Sequence, residues 1–253
     1  MNLLQDFFAC LGFFSRLPTP ESAHQAVFPR ALRLAPAVGA LLGLASAPPL
    51  LIALLFHEPP LVAALLALAT GALLSGGLHE DGLADVADGF GGGFSREKKL
   101  EIMRDSRIGA FGGMALILSF GLRAAALAAL AATPGRAALV LIASGAVSRL
   151  ACLAPLLLLP PARSDGAGRT AGALTRDEAR PAFALALAFA ALPWLGGFTF
   201  AACLAALMLA GLTTVGICAL ARAQIGGQTG DVAGAAQQIA EISILLVFAG
   251  AAG

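Results

Sequence analysis

The sequence predicts an all-α fold, a polytopic integral-membrane bundle of about seven transmembrane helices. Three observations carry this: an apolar composition, long uncharged runs, and basic residues gathered into alternate loops. Hydrophobic residues fill 58% of the 253 positions and charged residues only 12%, with a mean hydropathy of +0.86. Water-soluble domains carry roughly 45–50% apolar and about 25% charged residues. Apolar runs recur from Leu34 to the C-terminus with no soluble-looking block between them, so residues 1–253 read as a single integral-membrane domain. The formal net charge of +1 gives no global reason to bind nucleic acid.

Residues 1–17 come first. Leu3, Leu4, Phe7, Phe8, Leu11 and Phe14 recur at i, i+3/i+4 spacing, which predicts an interfacial helix stopped by Pro18 and Pro20; a helix packed on the bundle explains the pattern as well. Neither a basic n-region nor a small-residue cleavage motif marks this stretch as a signal peptide. At about 20 residues per crossing, spans fall near 35–56, 61–77, 109–131, 137–159, 182–197, 198–220 and 232–252. The 182–197 stretch is short, and Trp194-Leu195-Gly196-Gly197 reads as a tight turn or as a break within one bent helix, which makes six the fallback count. Cys10, Cys152, Cys203 and Cys218 stand far apart in apolar surroundings, as spectator thiols do.

Basic residues set the orientation. Arg16, Arg30 and Arg33 precede the first span; Arg96, Lys98, Lys99, Arg104 and Arg107 fill the second loop; Arg163, Arg169, Arg176 and Arg180 the fourth; Arg222 the sixth. Only Arg136 lies in the intervening loops, and Arg123 and Arg149 fall inside spans. The positive-inside rule makes the basic side, with the N-terminus, cytoplasmic. Asp81, Asp85, Asp88, Asp105, Asp165 and Asp231 fall on that same side, which places their chemistry at the cytoplasmic surface.

The chemistry concentrates in Ser75 to Gly93, SGGLHEDGLADVADGFGGG, between two apolar stretches. Charges so close to hydrocarbon are costly and mark function. On a helix turning about 100° per residue, Asp81, Asp85 and Asp88 share an arc of about 60°, while Glu80 lies about 100° away. Three crowded carboxylates repel one another, and a hard divalent cation, Mg²⁺ or Mn²⁺, relieves this. A solvated acidic face is the plain alternative. The surrounding glycines, Gly91, Gly92 and Gly93 among them, allow backbone N–H groups to approach phosphate oxygens, although glycine also serves helix contacts in membranes.

Two further segments accompany this one. In KKLEIMRDSRIGAFGG, Arg104 and Arg107 suit bidentate phosphate binding or simple anchoring, and Asp105 suits the metal or an arginine. In AQIGGQTGDVAGAAQQIAE, Asp231 either completes a metal site or caps a helix, and Gln237, Gln238 and Glu241 follow within an apolar helix.

Phe14-Ser15-Arg16-Leu17-Pro18, GGLHEDGLADVADG, EIMRDSRIGAFG and GGQTGDVAGAAQQIAE, in this order, resemble the recurrent blocks of the cobalamin synthase family, the adenosylcobinamide-GDP ribazoletransferases of bacterial adenosylcobalamin synthesis. Glu80 and Gln228 depart from that pattern, which commonly has an apolar and an aromatic residue there. The resemblance implies a Mg²⁺-dependent transfer in which a hydroxyl of α-ribazole, or of its 5′-phosphate, attacks the cobinamide-linked phosphate of adenosylcobinamide-GDP and expels GMP. It implies a multi-pass protein of the bacterial inner membrane, a location that suggests assembly with other enzymes of nucleotide-loop synthesis although no motif names a partner, with its oligomeric state open.

On that reading Asp81, Asp85 and Asp88 hold the cation with Asp231 or Asp105, one carboxylate oxygen acts as general base, and His79 is either a second base or a structural hydrogen-bonder. Arg104 and Arg107 hold diphosphate oxygens, Gly91 to Gly93 admit the nucleotide tail, and Gly227 and Gln238 complete the substrate contacts. A CDP-alcohol phosphotransferase is the nearest rival, but Asp85 stands where its DGxxAR pattern wants arginine. A secondary transporter is more remote, since only one acidic cluster is present.

Overall fold

A computed structural model describes residues 2–25, 27–163 and 174–252; Asp165 and Arg169 of the fourth loop lie outside them. Among the described residues every regular element is a helix, apart from one isolated bridge between Pro161 and Gln228. The helices are α1 (Leu3–Phe14), α2 (Ala35–Leu55, led into by short turns from Phe28), α3 (Pro60–Ser75), α4 (Leu78–Gly92), α5 (Arg96–Ile102), α6 (Ala110–Leu130), α7 (Pro134–Leu158), α8 (Arg176–Ala190), α9 (Phe200–Ile225) and α10 (Gly230–Gly250).

Five of these are long and apolar enough to cross a bilayer: α2 with its lead-in, α6, α7, α9 and α10. Helices α3 and α4 qualify only together, as one span broken by a 90° bend, which raises the count to six. The chain is thus the all-α, multi-pass membrane bundle its sequence predicts, close to the expected seven spans and equal at most to the six-span fallback. The shortfall has two causes. The 61–77 stretch ends at Ser75, and the 182–197 stretch becomes the 15-residue α8 followed by a turn at Leu192–Leu195.

Close backbone approach holds the bundle, as expected where lipid removes the hydrophobic drive between helices. At the α2–α7 crossing a Cβ on Gly39 would lie 2.1 Å from the carbonyl oxygen of Gly145, so no larger residue fits. Helix α10 is central and packs on α4, α6, α7 and α9. Leu204, Met208, Leu212 and Val215 form an exposed stripe along α9, the pattern of a lipid-facing surface.

The N-terminal helix is tied to this bundle by charge. Asp6 is wholly buried and accepts hydrogen bonds from Arg30 Nη2 at 2.7 Å and Arg33 Nη2 at 2.8 Å, which join α1 to the turns entering α2. Cys10, Leu11 and Phe14 are buried on the same helix, while Leu3 and Leu4 are exposed.

The bend between α3 and α4 positions the site. Gly76 and Gly77 both adopt left-handed φ, +66° and +71°, which L side chains rarely tolerate, and their N–H groups donate to Leu73 and Ala72 carbonyls. Arg16 secures the bend from outside: its N–H donates to the Leu74 carbonyl at 2.7 Å, and its side chain lies across Gly76.

Candidate active site

Helix α4 crosses α10 at Gly82, where a Cβ would come within 2.9 Å of the Asp231 carbonyl oxygen and within 3.3 Å of Gly234 Cα. Small residues at that crossing let the acidic helix pack closely on the start of α10. Asp81 of α4 and Asp231 of α10 line one cavity. Arg163 Nη2 donates to Asp231 Oδ2 at 3.2 Å, and Thr229 Oγ1 donates to the same oxygen at 3.1 Å. Thr229 is also the N-cap of α10, its hydroxyl accepting the Val232 N–H, so capping does not account for Asp231.

The three aspartates of α4 differ in surroundings. Asp81 is exposed and borders two cavities, and Asp85 is half-buried. Asp88 is buried, and its two oxygens accept N–H groups from Gly109 at 2.7 Å and Gly112 at 2.8 Å. Gly109 is the N-cap of α6 and has no side chain to satisfy the helix start, so Asp88 caps α6 from another helix. A Cβ on Gly112 would lie 2.3 Å from Asp88 Oδ2, which explains the glycine.

Among the described residues no three His, Cys, Asp or Glu side chains stand close enough to enclose an ion unaided. Oxygen donors of Asp81, Asp85 and Asp231 nevertheless suit Mg²⁺ in kind, because that ion commonly keeps waters and substrate phosphates and takes only one or two carboxylates.

The other expected residues are scattered around this centre. Asp105 and Arg107 pair with each other on the exposed loop before α6, Nη2 to Oδ2 at 2.5 Å, and the guanidinium holds the Asp105 carboxyl down to about 2. Arg104 is exposed on the same loop. Gly91 lies against the Phe111 ring and Gly93 against the Lys99 backbone, both too close for a Cβ, which makes them helix-packing positions; Gly92 has more room. Gly227 is pressed against the Pro160 carbonyl. His79 is buried, stacks on Phe14 with centroids 5.7 Å apart, and leaves Nε2 without a hydrogen-bond partner.

A family model described as cobalamin-5-phosphate synthase matches residues 6–249. The chain belongs to the cobalamin-5-phosphate synthase family. Similar curated proteins of Azorhizobium caulinodans and Bradyrhizobium diazoefficiens are each 48% identical, over 97% and 98% of this chain and 95% and 94% of their own lengths. A Mesorhizobium japonicum relative is 46% identical over 97% of this chain and 93% of its own. All three are named adenosylcobinamide-GDP ribazoletransferase. No solved structure matches.

Within this cobalamin-5-phosphate synthase family member, Glu80 and Gln238 belong to a network in the bundle interior. Glu80 Oε1 accepts from Arg123 Nη1 and Nη2 at 3.3 Å each and from Gln238 Nε2 at 3.0 Å. Gln238 Oε1 accepts from Ser119, and Gln237 Nε2 donates to Ser148 and to Glu241. Glu80 thus faces inward while Asp81 faces the cavities. Sequence reasoning missed Arg163, Thr229, Gly109 and Gly112 as parts of the site. Arg163 had counted only as a topological charge, and nothing local to Gly109 and Gly112 reveals a carboxylate 21 and 24 residues away.

Proposed function

We propose that this chain transfers the adenosylcobinamide phosphate group of adenosylcobinamide-GDP to α-ribazole, or to α-ribazole 5′-phosphate, and releases GMP. The observation that carries this is the α4–α10 crossing at Gly82, which sets the helix bearing Asp81 and Asp85 against the start of α10, where Arg163 holds Asp231, in a chain of this family.

A cavity of about 520 Å³ lined by Arg16, Ser15, Ser75, Gly76 and Asp81 receives the donor, with the Arg16 guanidinium on its diphosphate. Asp81, the exposed carboxylate, takes the proton as the acceptor hydroxyl oxygen bonds to the cobinamide-linked phosphorus. The bond from that phosphorus to the bridging oxygen breaks, and GMP leaves with the oxygen. Direct displacement needs in-line placement and charge neutralisation more than covalent chemistry. Mg²⁺ or Mn²⁺ held by Asp85 and Asp231 supplies neutralisation of the diphosphate when bound. Arg163 keeps Asp231 in place through its 3.2 Å bond. Asp88 holds α4 to α6, and so fixes the height of Asp85.

The basic loops support an inner-membrane location with this face toward the cytoplasm, where nucleotide substrates are dissolved and other nucleotide-loop enzymes would meet it. The test is GMP release by detergent-purified protein given adenosylcobinamide-GDP, α-ribazole and Mg²⁺. Asp81→Asn lowers kcat by about 10²–10⁴-fold, the range for a lost general base. Asp85→Asn abolishes turnover in a folded protein. Absence of GMP from active-fold wild-type protein overturns the reading.

A further inference from the structure

Asp81 lines two cavities that share Phe13 and Leu78. The larger one is mixed, with Arg16, Ser15 and Ser75 beside Ile108 and Leu116. The smaller, about 110 Å³, runs beneath Phe13 and Phe14 toward Leu32, Leu153 and Leu156, with Ala233 on its α10 side. Its volume is several times the roughly 10–15 Å³ that one water needs. Asp81 and Asp231 stand at its edge, and His79 is on its wall. Phe13 and Phe14 meet edge to face at 4.9 Å, and Phe14 and His79 stack with planes 5° apart, so aromatic surface defines one side.

We propose that this apolar cavity is the acceptor-base subsite: it takes the flat aromatic base of the nucleoside acceptor and leaves the ribose hydroxyls at Asp81 and Asp231. The inference rests on the transfer reaction above and adds which wall recognises which substrate.

Three features favour an aromatic nitrogen heterocycle over a lipid tail or the anionic donor. The walls are hydrocarbon and aromatic ring, which rejects a diphosphate, whose charges would lose their water without a partner. Carboxylates at the mouth demand a polar end on whatever enters, which an acyl chain lacks. His79, on the wall of this cavity, has a buried Nε2 with no hydrogen-bond partner, an expense that an in-plane ring nitrogen removes by accepting a hydrogen bond from it. Donor and acceptor then each reach Asp81 from its own cavity.

Cavity size should therefore set base preference. The test compares α-ribazole, whose benzimidazole carries two methyl groups, with the riboside of unsubstituted benzimidazole, each with adenosylcobinamide-GDP and Mg²⁺. Ala233→Leu fills the cavity, and the ratio of kcat/KM for α-ribazole over the smaller riboside falls at least about tenfold, since methyl-sized differences in apolar pockets are worth 10–200-fold. The KM for adenosylcobinamide-GDP stays within about twofold, because the donor lies on the Arg16 side. Leu153→Val, which enlarges the cavity, flattens the same ratio toward one and serves if the larger side chain blocks folding.

An unchanged ratio in both variants, with wild-type turnover intact, overturns the subsite and leaves the reaction standing. Equal loss with both ribosides together with a raised donor KM overturns it too, as a mere packing effect. Wild-type protein that turns over neither riboside overturns the reaction itself.

Discussion

Asp88→Asn separates a structural carboxylate from a reacting one. In the native chain the two oxygens receive the Gly109 and Gly112 N–H groups at the start of α6, at 2.7 and 2.8 Å. An amide keeps one acceptor and turns its NH₂ donor against the other N–H. The lost hydrogen bond to a charged group is worth about 1.5–3 kcal/mol. Removing negative charge from a helix N-terminus costs about 0.3–1 kcal/mol more, up to ~2 where partly buried. The sum, roughly 2–5 kcal/mol, corresponds at about 2–4 °C per kcal/mol to a melting temperature lowered by something on the order of 10 °C. The four cysteines are buried and free, so a thiol-reactive fluorophore reports unfolding in detergent directly. Asp85→Asn, at a half-buried position beside other carboxylates, should melt within about 2 °C of wild type. If Asp88→Asn melts with wild type yet loses turnover, the capping argument is wrong and Asp88 belongs among the groups that touch substrate or metal.

Glu80→Leu leaves Arg123, only 3% exposed, with the Glu241 carboxylate at 3.6 Å, and should destabilise on the same thermal assay by less than the about 3–5 kcal/mol of a wholly unpaired buried charge; Glu80→Leu with Arg123→Leu recovers most of that, whereas additive losses would refute pairing as the cause. Chelation with EDTA should stop GMP release and Mg²⁺ or Mn²⁺ restore it, with no shift in melting temperature; a large thermal shift would instead make the ion structural. Asp105 is held at about 2 by Arg107, so its charge is present above the ordinary carboxylate range and is lost only as pH falls through about 2. Asp105→Asn should therefore leave the shape of the rate–pH profile unchanged from about pH 5 to 9, and a displaced limb in that window would show Asp105 titrating there.

The membrane fold was legible because its cause is compositional: stretches such as 200–225 and 134–158 are apolar throughout and need no partner to be recognised as spans. The acidic segment was legible as a helix with a carboxylate face because spacing alone puts Asp81, Asp85 and Asp88 together. Spacing says nothing about what that face meets. The α3–α4 bend hangs on two consecutive left-handed glycines, and a glycine pair inside an apolar run reads equally well as part of a span, so the 61–77 stretch looked longer than it is. Gly91 and Gly93 read as phosphate-binding positions because absence of a side chain serves ligand approach and helix packing alike; the Phe111 ring and Lys99 backbone account for both glycines by packing.

Identical chemistry in the sequence therefore divides by direction in the fold. Glu80 and Asp81 are adjacent carboxylates, yet one is turned to Arg123 and Gln238 in the interior and the other to the cavities. The helix that turns Asp81 toward the cavities is anchored by charge elsewhere along its length, at Glu80 to α6 and α10 and at Asp88 to the α6 start. A short helix entered through a glycine bend has little rigidity of its own, and displacement chemistry tolerates little error in the placement of its carboxylates. The buried ion pair and the cross-helix cap supply that rigidity from α6, so the stability of α6 and the placement of the α4 carboxylates are one property of this bundle.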